Sequence, residues 1–220
     1  MSAPTLILAS ASPARAALLR SAGVEPDIRP ADVDEEAILA EAATAARVNA
    51  LPVPEAVALL ARAKAEAITQ ASHARVSDAP TAPAVVVGCD SLLELDGAGL
   101  GKPHTAELAR QRWRRMRGRS GILHSGHHVI RLDSGAVAFA VSSTTVHFAD
   151  LTDAEIDAYV DTGEPLAVAG AFTIDGLGGA FVTGVDGDPH GVVGLSLPLL
   201  RTMLASLDLA WVDLWHRRND

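Results

Sequence analysis

Hydrophobic and polar positions along this chain fall into short unbroken runs and longer helical stripes, and the changes between them mark the elements. Leu6-Ile7-Leu8-Ala9 is a short apolar run and reads as a first strand. Ser12 then supplies an N-cap, Pro13 a first helical residue, Leu18, Leu19 and Ala22 an apolar face, and Gly23 a stop. Pro26 to Arg29 reads as a second short strand. Ala37 to Gln70 is helix-rich, with Val57, Leu60, Ala61, Lys64, Ala65 and Ile68 spaced along one stripe. Val85-Val86-Val87, three β-branched residues in a row, predicts a central buried strand running into Gly88-Cys89-Asp90-Ser91. Leu92 to Leu95 reads as a further strand before a turn at Asp96-Gly97.

The second half continues with a helix over Thr105 to Arg117, capped by Thr105. Gly121 to Phe148 alternates on either side of Asp133-Ser134-Gly135 and predicts a hairpin. Thr152 to Val160 is a short helix with an acidic first turn. Gly163-Glu164-Pro165 is a turn, and Ala169 to Gly176 a small-residue loop. Gly187 to Gly194 leads into a last helix, Leu195 to Leu207, and Leu209 to Trp215 is expected to add an edge strand. Ser72 to Ala84, rich in Ala, Ser and Pro, reads as a surface loop, and the chain from Arg217 onward as a frayed tail. No repeat and no clean linker interrupts residues 1–220. The expectation is one α/β domain with two lobes around a cleft.

Composition narrows the function. Hydrophobic residues make up 49% of the 220, so a core is easily built, but aromatics are only 4% and much of the rest is Ala, which favours helices. The net charge of −9 argues against a sequence-independent grip on nucleic acid. One cysteine rules out a disulfide framework and a thiol metal site. There is no run of 18 apolar residues to span a membrane, and Met1 to Ser10 lacks the pattern of a signal peptide, so the cytoplasm is the expected location.

Several side chains carry candidate chemistry. Asp90 follows the central strand, and in open α/β folds ligands bind outside the carboxyl ends of strands. It reads either as the centre of a phosphate-processing site or as the start of a turn. The first strand feeds its helix through Ser10-Ala11-Ser12-Pro13, which places free N–H groups and a positive dipole end at one point, an anion site. Arg15 would add a guanidinium able to grip phosphate bidentately. Asp32-Val33-Asp34-Glu35-Glu36 is either a solvated acidic loop or a source of Mg²⁺ ligands. Lys64 lies on the apolar stripe, so it either snorkels to the edge or points into a cleft. Lys102, in Gly101-Lys102-Pro103, is a second phosphate cation. The arginines from Arg110 to Arg119 read as a solvated face, with Trp113 and Met116 turned inward. His124, His127 and His128 fall on a strand, and no metal is assigned to them.

Taken together and in order, these stretches resemble the Maf family of nucleotide pyrophosphatases. The resemblance rests on Leu6 to Pro13 with Arg15; Val33-Asp34-Glu35; Ala63-Lys64-Ala65; Gly88-Cys89-Asp90-Ser91; Gly101-Lys102-Pro103; Tyr159-Val160 with Gly163-Glu164-Pro165; Ala169-Gly170-Ala171-Phe172 with Ile174 and Gly176; and Val192-Val193-Gly194-Leu195. Asp188-Pro189-His190-Gly191 is similar to the actinobacterial branch. The resemblance implies an elongated, two-lobed mixed sheet with flanking helices and a central cleft, like that of inosine triphosphatase. It implies house-cleaning hydrolysis of a nucleoside triphosphate to the monophosphate and pyrophosphate, with Mg²⁺ or Mn²⁺. Asp90, Glu35, Lys64, Lys102 and Arg15 would be catalytic, with Asp90 and Glu35 on the metal. Ser10, Ser12, Ala14, Ser91 and Asp175 would meet the substrate. Nearby cations are expected to lower the Asp90 pKa, which favours a metal ligand over a free base. A homodimer is compatible with the family; a membrane or nucleic-acid partner is not expected.

Three positions depart from known branches. The dTTP/UTP branch has Arg, Thr and Gln where this chain has Ala14, Ser91 and Asp175; the 7-methyl-GTP branch has an aromatic, a Gln and a Glu. A carboxylate at Asp175 would accept from a donating base edge, so guanine, cytosine or a modified base is expected. The competing readings are a non-catalytic nucleotide-binding regulator of septation and a nucleic-acid binder acting through the arginine-rich helix.

Overall fold

The structure is a computed structural model that describes residues 4–73 and 83–215. Most of the loop expected between Ser72 and Ala84, and the expected frayed tail, lie outside the described residues.

The first strand, β1 (Thr5–Leu8), runs into α1 (Pro13–Ser21), with Ser12 as the N-cap and Pro13 at the first turn. β2 (Asp27–Ile28) pairs parallel to β1. The acidic run is only half a loop: Asp32 to Asp34 precede α2 (Glu35–Ala46), which Asp34 caps by accepting from the Ala37 N–H, and Glu35 and Glu36 sit in its first turn, where they suit the dipole. α3 (Val53–His73) follows, and then β3 (Ala84–Leu95).

β3 corrects the expected break after Ser91. Its twelve residues form one continuous strand, so Leu92 to Leu95 is not a separate element and Asp90 starts no turn. Asp96 and Gly97, both at positive φ, make the two-residue turn into β4 (Ala98–Leu100), as a hairpin requires. α4 (Ala106–Met116) is capped by Thr105. The expected hairpin is β5 (Ser120–Arg131) and β6 (Val137–Phe148). α5 (Asp153–Asp161) opens on a full capping box between Thr152 and Glu155.

Two further expectations fail. Leu209 to Trp215 adds no strand: Trp211–Leu214 is a 3₁₀ turn, Leu209 and Leu214 enter the core, and the Trp215 ring lies beside Gly23. The sheet edge is instead β7 (Val182–Asp186), whose half-exposed Thr-Gly-Val-Asp pattern carries little strand signal. The last helix also begins later than expected: α6 (Pro189–Val193) comes first, and Ser196 caps α7 (Leu197–Ser206).

The sheet order is β2-β1-β3-β5-β6-β7, with β4 paired to β3, and it is mixed. β1 runs parallel to β2 and β3, and the other pairs are antiparallel. β5 follows β3 along Val85 to Glu94. On the other flank β1 pairs only with Ala84 to Val87, and β4 only with Leu93 to Leu95. Gly88 to Leu92 therefore has no strand on that side among the described residues. This gap is the cleft.

Alternation of side chains on β3 sorts the cores. Val85, Val87 and Cys89 enter one core with α1 and α7, while Leu93 enters a second with α4 and α5. Ser91 falls between them. On the opposite face Val86 packs with Ala65 and Ile68 of α3. That helix lies hard against the sheet, since a Cβ on Gly88 would sit 2.1 Å from the Ala61 carbonyl oxygen and one on Gly126 2.2 Å from that of Val57. No described helix is long and apolar enough to cross a membrane.

Candidate active site

Asp90 and Lys64 meet because the two glycines let α3 lie flat on the sheet. Asp90 shares the α3 face of β3, and Lys64 projects from the helix stripe that also carries Ala61 and Ala65. Lys64 Nζ donates to Asp90 Oδ1 at 2.6 Å and lies 2.7 Å from Glu35 Oε1. Side-chain exposure is 12% for Lys64 and 11% for Asp90, against 49% for Glu35. So Lys64 occupies the cleft and does not snorkel to solvent. One ammonium gathers two carboxylates from separate elements.

Arg15 reaches the same gap from α1. Its Nη1 donates to Ser10 Oγ at 2.9 Å and to the Cys89 carbonyl at 3.1 Å. Its Nε donates to the Gly194 carbonyl at 2.8 Å, and its Nη2 to Ser91 Oγ at 3.0 Å. Four of the five guanidinium N–H groups are thus committed to protein acceptors. The expected bidentate grip on phosphate is not available in this arrangement; one N–H of Nη2 remains. Ser12 caps Arg15 N, and its own N–H donates to Ser10 Oγ. Pro13 has no N–H, and that of Ala16 goes to Ser12 O. The Ala14 N–H is left as the helix-end donor without a partner among the described residues.

Burial decides the Asp90 electrostatics. It pushes the carboxyl above its ordinary value, against the opposing pull of Lys64 and Arg15. This reverses the sequence expectation of a lowered pKa, because the cost of removing the charge from water exceeds the gain from the cations. Beside it, the Cys89 thiol is pushed up to about 11 by burial, which leaves it inert as a nucleophile.

Of the remaining candidates, only Ser91 is bonded to these clusters. Lys102 is exposed and pairs with no carboxylate among the described residues, but it directly follows Gly101, which lies against Leu92 at the rim of the gap. Ala14 is half-buried on α1. Asp175 is exposed on the loop between two 3₁₀ turns, Ala169–Ala171 and Leu177–Phe181. Ser91, expected at the substrate, spends its hydroxyl on Arg15 and Ser125. The three histidines diverge: His124 bonds Ser143 and Glu94, His127 bonds the Ser125 carbonyl and the Ser196 N–H, and His128 stacks on Phe139. Along and after the basic helix, Arg110 pairs with Asp157 and Asp161, Arg117 with Asp153 and Arg119 with Asp96, while Arg112 donates to the Gly101 carbonyl.

Sequence reasoning missed two organisers. Glu164 accepts from Tyr159 OH, Thr173 Oγ1 and the N–H groups of Leu177 and Gly178, and so holds both ends of the loop that presents Asp175. Ser125 is fully buried and bonds Ser91 and the Gly191 carbonyl. Nothing in its local sequence sets it apart, since β5 also carries Ser120, His124, His127 and His128.

The family described as Maf-like protein matches residues 5–207. A protein of Cutibacterium acnes named nucleoside triphosphate pyrophosphatase is 53% identical over 212 residues, covering 96% of this chain and 94% of its own. Proteins of the same name from Salinispora tropica and Leifsonia xyli are 52% and 53% identical, covering 96% of this chain and 88% and 97% of their own. With a match across nearly all of its described residues, the chain belongs to the Maf family.

Proposed function

We propose that the chain is a nucleoside triphosphate pyrophosphatase, splitting the α–β phosphoanhydride with water to give the monophosphate and pyrophosphate. The observation that carries the reading is the gap in β3, where Lys64 gathers Glu35 and Asp90 beside the anchored Arg15. The names of the relatives point to the same reaction.

Anhydride hydrolysis needs neutralised phosphate charge and an oriented water. Lys64, Lys102, the remaining Arg15 N–H and the Ala14 N–H supply donors around the gap. Asp90 accepts the proton of the attacking water. Its raised pKa suits it to that task, and Lys64 fixes Oδ1 while the second oxygen has no partner among the described residues. Glu35 and Asp90 are the residues that would hold a divalent cation. Two converging hard oxygen donors fit Mg²⁺ or Mn²⁺, and no described group of three or more metal-ligating side chains exists to supply a full cage, so phosphates and water would complete the shell. When bound, the cation supplies further charge neutralisation at the phosphates.

The decisive assay offers a panel of canonical and methylated triphosphates to the pure protein and detects pyrophosphate and monophosphate in equal amounts. Asp90→Asn is expected to lower turnover by a factor of about 100 or more and Mn²⁺ affinity far less, because the amide oxygen can still ligate a cation but cannot take a proton. Nucleotide binding without pyrophosphate release would favour the non-catalytic regulator, and a matching loss of Mn²⁺ binding would make Asp90 a ligand and not the base. Asp175 favours a base that donates from its edge, guanine or cytosine; preference for dTTP or UTP would refute that assignment.

A further inference from the structure

The bonds around Ser91 form a chain with one direction. Arg15 Nη2 has only protons to give, so Ser91 Oγ accepts from it at 3.0 Å. Ser125 Oγ gives its single proton to the Gly191 carbonyl at 2.8 Å. The remaining contact, 2.7 Å between the two hydroxyls, therefore has Ser91 donating to Ser125. The relay runs Arg15, Ser91, Ser125, Gly191, with every proton assigned.

Both ends are tied to α6 and its cap. Gly191 lies in α6 and Gly194 just after it, and the Gly194 carbonyl accepts from Arg15 Nε. Gly194 sits at φ +112°, and a Cβ there would come within 3.0 Å of Arg15 Nε and 3.3 Å of Ser91 Oγ. Ser125 itself is fully buried on β5, opposite Ser91 in the register. A hydroxyl so placed has no route to substrate. What it fixes is the Ser91 hydroxyl, and through it the guanidinium.

We propose that Ser125 is a positioning residue that acts through Ser91 to hold the Arg15 guanidinium with one Nη2 N–H directed to the triphosphate. The proposal rests on the reading of the β3 gap as the triphosphate site. Without Ser125, the Ser91 hydroxyl turns to another acceptor and Arg15 gains freedom that binding must then remove.

The test uses inorganic tripolyphosphate as the probe, with affinity measured by calorimetry, alongside KM and kcat with the preferred triphosphate. Ser125→Ala is expected to weaken tripolyphosphate about tenfold and raise KM similarly, with kcat changed far less. Ser91→Ala breaks the same relay one link earlier on a half-buried side chain and is expected to reproduce the loss. In the double variant the two effects should not add, because both act on one guanidinium. Unchanged affinity in Ser91→Ala, or a Ser125→Ala loss that persists in full in the Ser91→Ala background, overturns the proposal. Should the wild type release no pyrophosphate from any triphosphate, the catalytic reading falls, while tripolyphosphate affinity still decides the relay.

Discussion

Lys64 lies within hydrogen-bonding reach of both Glu35 and Asp90, so replacing it with Met would leave the two carboxylates without the ammonium between them. The Lys64 charge holds the Asp90 pKa down against burial, and its removal lets that pKa rise further. The acid limb of kcat/KM is then expected to move to higher pH in Lys64→Met, with the plateau lowered by a factor of about 100; a limb that stays in place would mean that Asp90 is not the titrating base. His127 gives a stability effect instead. Burial lowers its pKa to about 4, and its neutral ring donates to the Ser125 carbonyl and accepts from the Ser196 N–H. The unfolded chain takes up this proton near the ordinary 6.5, the folded chain only near 4. Stability is therefore complete above about pH 6.5 and falls as the pH drops to 4, by about 3 kcal/mol from this group. Chemical denaturation at stepped pH values measures the slope, and His127→Gln should flatten it.

At the scale of elements, the placement of α3 depends on two glycines that let it touch the sheet. Gly88→Ala would put a methyl 2.1 Å from the Ala61 carbonyl oxygen and 2.8 Å from the Ala65 N, backbone that cannot yield as a side chain would. The helix must lift, at a cost of about 3 kcal/mol, and Lys64 lifts with it. Loss of both stability and turnover is expected in Gly88→Ala, and an active, unfolded-resistant variant would show that the close approach is dispensable. The helices were legible because caps and stripes are local: Ser12 with Pro13, Thr105, and Thr152 with Glu155 each mark an N-terminus in a few residues. The site was legible as a set, since Glu35, Lys64 and Asp90 do converge. What was hidden needed partners from afar. β3 reads as two strands because its midpoint, Gly88 to Ser91, breaks the apolar run with Gly88, Asp90 and Ser91, which face α3 and the gap, while only Cys89 enters a core. β7 pairs on one side and stays half-exposed, so its pattern is faint, and the aromatic tail that imitated a strand packs on the first core. The Asp90 pKa went wrong for the same reason: its cations are visible in sequence, its burial is not.

On the scale of the whole molecule, the two hydrophobic cores on one face of the sheet lie at opposite ends of the same strands, and a third, with α3, covers the other face. Leu19 and Leu200 belong to the first, Trp113 and Met116 to the second, and β3 contributes Val87 to one and Leu93 to the other. β3, β5 and β6 each run twelve residues through both, so neither core can lose its sheet without fraying the other's hydrogen bonds. Arg110 of α4 and Arg117 just after it also serve this unity, clamping α4 to α5 through Asp157, Asp161 and Asp153. Cores built on shared strands should unfold as one. Leu19→Ala and Met116→Ala, one in each core and both fully buried, are each expected to cost about 2–5 kcal/mol. Each should shift a single transition, with far-UV circular dichroism and Trp fluorescence moving together. A variant that melted one probe ahead of the other would separate the cores into domains, and would place the β3 gap, with its carboxylates and cations, on a hinge.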